Sequence, residues 1–121
     1  MTTLAAKLRQ EPGIDMKRLK LGTRLMVETE SAVYEMRVLH QELCLVEISS
    51  SDPQLRQPTV GQFVSSQLSS EGPAGMTPAC EIPAWLGKGL RMYLRFRNGY
   101  YLSSAVQGAE VKGDTWHYSV F

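Results

Sequence analysis

Residues 87–106 read G-K-G-L-R-M-Y-L-R-F-R-N-G-Y-Y-L-S-S-A-V, and no other stretch restricts the fold of this chain so tightly. Leu90, Met92, Leu94 and Phe96 fall on one side of a two-residue repeat, and Arg91, Tyr93, Arg95 and Arg97 on the other. A helical winding would scatter both sets around a cylinder, whereas an extended strand puts each on one face. Asn98-Gly99 interrupts the pattern, and alternation resumes with Tyr100. A type I′ turn needs positive φ at both central residues, and Asn-Gly is the pair that supplies it. The prediction is a β-hairpin turning at Asn98-Gly99, with Arg97 opposite Tyr100 and Arg95 opposite Leu102.

The same period recurs upstream. Leu25 and Val27 alternate with polar neighbours in 23–30, Tyr34, Met36 and Val38 in 32–39, and Cys44, Val46 and Ile48 in 42–49. Gaps of only one or two residues between these runs suit an antiparallel meander, because parallel strands need longer crossovers. A fourth strand is expected in 57–68, with Val60 and Phe63 as its apolar points and a bulge or bend at Gly61. Residues 69–83, rich in proline, read as the longest loop. Short strands at 107–111 and 115–121 complete a count of seven or eight. The fold class is therefore all-β: a small antiparallel barrel or sandwich, since closure removes exposed edges. Ahead of it, 1–22 reads as a helical extension. One helix ends at Pro12-Gly13, and a second runs from an N-cap at Asp15 to Gly22, with Ile14 and Leu19 stapling it. Residues 23–121 form one domain.

A chain of 121 residues holds about one domain. It has no apolar run long enough to span a bilayer and no signal-peptide core, so a cytoplasmic protein is expected. Two cysteines, Cys44 and Cys80, do not make a disulfide framework. The net charge of +1 hides a segregation. Residues 1–24 carry six basic side chains against two acidic, residues 25–87 two against eight, and residues 88–121 five against two. A near-neutral total argues against a dedicated nucleic-acid binder.

The Arg91/Tyr93/Arg95/Arg97 face, with Tyr100 across the turn, is the first candidate site. Guanidinium forks suit phosphate or carboxylate, and a neighbouring ring can stack on a base. The alternative occupation is pairing with Glu28, Glu35 or Glu47 on comparable strands. Arg91-x-x-x-Arg95 also resembles the arginine pair that opens the PilZ cyclic-dinucleotide motif. PilZ domains carry that pair ahead of their barrel and follow it with D/N-x-S-x-x-G, which Ser103–Gly108 does not match. Trp85 and Leu86, between the proline-rich segment and the basic hairpin, are candidate partner-binding residues. Their other reading is a plug at the barrel end. His40, Cys44, Cys80 and His117 have no metal-ligand spacing, so no metal or other cofactor is expected. No nucleophile elbow, phosphate loop or paired carboxylates appear, and an enzyme is not expected.

Gly22-Thr-Arg-Leu-Met-Val-Glu-Thr-Glu-Ser31 with Val33-Tyr34, Trp85-Leu-Gly-Lys-Gly-Leu-Arg-Met92 and Leu102-Ser-Ser-Ala-Val106 together resemble a small bacterial β domain of planctomycete type. The likeness covers roughly residues 22 to 111. Its members often carry Thr-Ser-Pro-Val where this chain has Ser103-Ser-Ala-Val106, and no activity or site residue comes with it. The expected function is a non-enzymatic binding or assembly module, engaging a protein partner or a second copy of itself. The alternative is binding of an anionic ligand, a nucleotide or nucleic acid, on the Arg91/Arg95/Arg97 face.

Overall fold

The computed structural model describes residues 12–70, 77–113 and 117–121. It is antiparallel throughout. The strands are β1 (Gly13–Asp15), β2 (Arg24–Thr29), β3 (Val33–His40), β4 (Leu45–Ser50), β5 (Thr59–Ser70), β6 (Thr77–Pro83), β7 (Trp85–Gly87), β8 (Arg91–Phe96), β9 (Gly99–Lys112) and β10 (His117–Ser119). β2, β3, β4 and β5 follow one another as a meander. β5 then pairs β8, β8 pairs β9, and β9 returns to β2. These six strands close a ring. β6 extends the edge of β5 beyond β4, and β10 extends β9 beyond β8. β1 and β7 form a separate two-stranded ribbon. Among the described residues, no helix is long and apolar enough to cross a membrane.

Closure depends on one long strand. β9 uses residues 99–105 against β8 and 106–112 against β2. The hairpin's second strand and a separate short strand over 107–111 were expected here, but Gly99–Lys112 is one unbroken strand. Irregularities absorb the curvature that closure demands: one between Glu28 and Thr29, one between Phe63 and Ser65, and one between Arg91 and Tyr93. At the last of these, the buried Ser103 hydroxyl accepts the Met92 N–H at 2.8 Å. Gly61 is not a bulge. It lies in register with Val46, and a Cβ there would stand 2.5 Å from the Phe96 ring. Glycine is needed because an aromatic ring lies against its backbone.

The core follows the alternation. Leu25, Val27, Tyr34, Met36, Val38, Val46, Ile48, Phe63, Met92 and Leu94 are buried and point into the ring. Each such side chain contributes roughly 1.5–3 kcal/mol by leaving water. Val60, expected as an apolar point of this strand, faces outward, since the inward positions of the alternation fall at Gly61 and Phe63.

The segment before the barrel departs from the helical expectation. Over 13–22 the chain forms β1 and one 3-10 turn, Met16–Arg18. Asp15 does cap that turn, accepting the Lys17 N–H at 3.1 Å. Ile14 and Met16 are drawn into the core, and Met16 N–H donates to Ala84 O at 2.8 Å. Tertiary burial of two apolar residues two apart selects extended chain over helix. The first expected helix, before Pro12, lies outside the described residues. The expected loop over 69–83 is partly strand: β5 runs to Ser70 and β6 begins at Thr77, with its prolines on an edge strand that tolerates them.

Candidate functional site

The hairpin turns one residue earlier than the Asn-Gly rule implies. Phe96 pairs Gly99, which leaves Arg97-Asn98 as the turn. Gly99 has φ +143°, whereas Asn98 is not among the positive-φ residues, so the turn is not type I′. The shift puts Arg95, not Arg97, directly opposite Tyr100, and Tyr93 opposite Leu102. Tyr93 and Tyr100 then meet diagonally and stack, with centroids 5.1 Å apart and planes at 17°.

Arg95 is also in register with Gln62 on β5, and Gln62 with Leu45 on β4. Leu45, Gln62, Arg95 and Tyr100 therefore make a row across four adjacent strands, about 14 Å long at the usual strand spacing. Beside this row lies a groove of about 470 Å³, lined by Leu45, Val60, Gly61, Gln62, Arg95, Phe96, Arg97, Gly99 and Tyr100. Among the described residues, no carboxylate lines it. Val60 is 53% exposed and Tyr100 64%, so the groove has apolar surface beside its two guanidinium groups.

The expected pairing of the arginines with Glu28, Glu35 or Glu47 does not occur. Those residues lie on β2, β3 and β4, while β8 sits between β5 and β9. Glu47 instead meets Arg37 at 3.6 Å. Among the described residues, none of Arg91, Arg95 and Arg97 has a carboxylate oxygen within 4.0 Å. Arg91 is also separated from the other two. It stands four residues along β8 from Arg95, about 13 Å at the usual rise, in a row with Gln67 and Glu81. The three arginines do not share one site. The groove gathers Arg95, Arg97 and Tyr100, with Tyr93 stacked against Tyr100. Arg91 and Arg95 lie within a barrel strand, β8, unlike the PilZ pair, which precedes its barrel.

Trp85 and Leu86 lie in β7, not in a loop. Leu86 is 0% exposed and belongs to the core, so it offers no surface to a partner. The Trp85 ring lies over Gly13 and Gly87, where added Cβ atoms would come within 2.5 and 3.0 Å of it. The β1–β7 ribbon thus seats the indole on two glycines. Its Nε1 is buried with no hydrogen-bond partner among the described residues.

A polar network that the spacing does not reveal borders the same hairpin. Tyr101 donates its hydroxyl proton to Asp52 Oδ2, and the Tyr34 hydroxyl approaches Tyr101 at 2.7 Å. Because its own O–H is directed at Asp52, Tyr101 accepts from the Tyr34 hydroxyl. Asp52 also takes the Gln54 N–H at 3.0 Å and so caps the 3-10 turn Pro53–Leu55. The Tyr101 hydroxyl, followed by the Gln54 N–H, holds the Asp52 carboxyl below its ordinary range. Burial, then the Asp52 bond, pushes the Tyr101 hydroxyl far up, and burial pushes Tyr34 up as well. His40 and Cys44 have local occupations. His40 Nδ1 accepts the Leu43 N–H at 3.2 Å, and buried Cys44 directs its thiol to Gln41 O.

The chain matches no family model, no curated protein and no solved structure. The functional reading therefore stands on the groove itself.

Proposed function

We propose that this protein is a non-enzymatic binding module that takes a small anionic ligand in the groove of Arg95 and Arg97. The observation that carries the proposal is the pair of guanidinium groups on a concave surface with no carboxylate among its described lining residues. Unpaired arginines beside aromatic and aliphatic surface suit a phosphate or carboxylate borne on an apolar body. The test is a titration with pyrophosphate, following backbone amides of 95–100 by NMR. Shifts confined to the groove are expected. They should fade with added salt and disappear in Arg95→Ala. Unmoved amides at low ionic strength would overturn the reading.

A second reading, docking of a protein partner or a second copy, rests on Val60 and Tyr100, exposed at the same groove. Tyrosine beside arginine is a pairing enriched in interface hot spots, and Val60 adds exposed apolar area next to it. A concentration-dependent molar mass in light scattering, abolished by Val60→Asp, would favour it over the first. A constant monomer mass would remove self-association.

A further inference from the structure

The arginine groove does not end at Tyr100. A second hollow of about 320 Å³ adjoins it and shares three of its walls, Phe96, Gly99 and Tyr100. The two differ in chemistry. The first has two guanidinium groups. The second is lined additionally by Gln54, Leu55, Thr59, Asn98 and Tyr101, none of them charged. Leu55 is buried at its base, and the side-chain amides of Gln54 and Asn98 have no hydrogen-bond partner among the described residues. Tyr101 turns its hydroxyl away to Asp52, so this wall offers ring surface and no free donor. Asp52 fixes both sides of the hollow, since it holds Tyr101 on β9 and the Gln54 backbone on the 3-10 turn.

Given the anion reading above, on which this step rests, we infer that the site has two parts. The phosphate of a nucleoside monophosphate lies against Arg95 and Arg97, and its heterocycle occupies the neutral hollow across Tyr100. A planar ring with donors and acceptors on its edge matches a cavity walled by rings and floored by leucine. A primary amide offers both donors and an acceptor, which is what a base edge requires. Gln54 and Asn98 therefore read the base, while the arginines hold the charge.

The test compares ligands that carry the two parts together and apart: adenosine, guanosine, cytidine and uridine 5′-monophosphates, ribose 5-phosphate, and adenosine. Calorimetry at low ionic strength gives the affinities, and amide shifts give the location. Ring stacking and edge contacts together should make at least one nucleotide bind about tenfold or more tightly than ribose 5-phosphate. Gln54→Ala and Asn98→Ala should each shrink that ratio and leave ribose 5-phosphate affinity unchanged. Because Asn98 sits in the turn, Gln54→Ala is the deciding variant. Equal affinity for ribose 5-phosphate and all four nucleotides would overturn the two-part site and leave the anion site standing. Absence of binding by every phosphate probe would overturn both.

Discussion

Removing the Tyr101 hydroxyl isolates the bond that ties the 52–55 turn to the barrel. Tyr101→Phe keeps the ring, which also makes edge contacts with Tyr34 at 6.1 Å and Phe96 at 6.5 Å. What is lost is a hydrogen bond to a carboxylate and the acceptor for the Tyr34 hydroxyl. A bond to a charged group contributes about 1.5–3 kcal/mol, and a neutral one about 0.5–1.5 kcal/mol. Asp52 is only half-buried and water can replace part of its bond. The expected loss at neutral pH is therefore near the lower end, about 2 kcal/mol. With a urea m-value of about 1–3 kcal/mol/M, the midpoint should fall by roughly 1 M. The loss also depends on pH. The folded state holds the Asp52 carboxyl below its unfolded value. Its stabilisation is thus complete above the ordinary carboxylate range, around pH 4, and fades as pH falls through the lower folded value. The gap between the urea midpoints of the two proteins should be smaller at pH 3 than at pH 7. A destabilisation of the same size at both pH values would mean that the carboxylate charge plays no part. A midpoint unchanged at pH 7 would mean that the bond does not hold the turn.

Gly61→Ala sets a methyl against the Phe96 ring, so a loss of roughly 1–3 kcal/mol in thermal or urea unfolding is expected, together with weaker pyrophosphate binding because Phe96 walls the groove. Leu86→Ala removes a fully buried side chain and should cost about 2–5 kcal/mol. A loss under 1 kcal/mol there would indicate an exposed Leu86 in solution. In a spectrophotometric titration at 295 nm, Tyr101 and Tyr34 should ionise only when the protein unfolds in alkali, because burial raises both hydroxyls; normal titration of all five tyrosines below unfolding would contradict the network. Arg24 lies directly opposite both Arg37 and Lys112. Like charges so placed repel, and Arg24→Gln should leave stability unchanged or raise it by about 0.2–1 kcal/mol, measured at low salt.

The barrel was legible wherever a strand buries one face only. Leu25/Val27, Tyr34/Met36/Val38 and Met92/Leu94 announce themselves by period, and the structure buries each of them. What escaped was set by partners far away in sequence. β1 is three residues long and shows no period; Ile14 joins the core because β7 crosses it. Gly61 looks like a strand defect until Phe96 arrives from thirty-five positions later. The candidate site was half visible. Alternation and a turn point to Arg95, Arg97 and Tyr100, and the groove does collect them. Their freedom from Glu28, Glu35 and Glu47 could not be read, because strand order around a ring is not strand order along the chain. The second hollow, with Gln54 and Asn98, has no local motif at all. The Asp52–Tyr101 bond ties its two walls together.

The double use of β9 has a consequence for how the molecule comes into being. During synthesis, β2 to β5 can pair as they emerge, but β2 keeps one side bare until residues 106–112 appear. About eighty residues separate the two halves of that seam, so its loop-closure entropy is met last, and folding should run on the slow, millisecond-to-second scale of non-local β topologies. A ribosome-stalled chain ending before β9 would carry an open ladder edge of six residues, and that edge is where misassembly between nascent copies would begin.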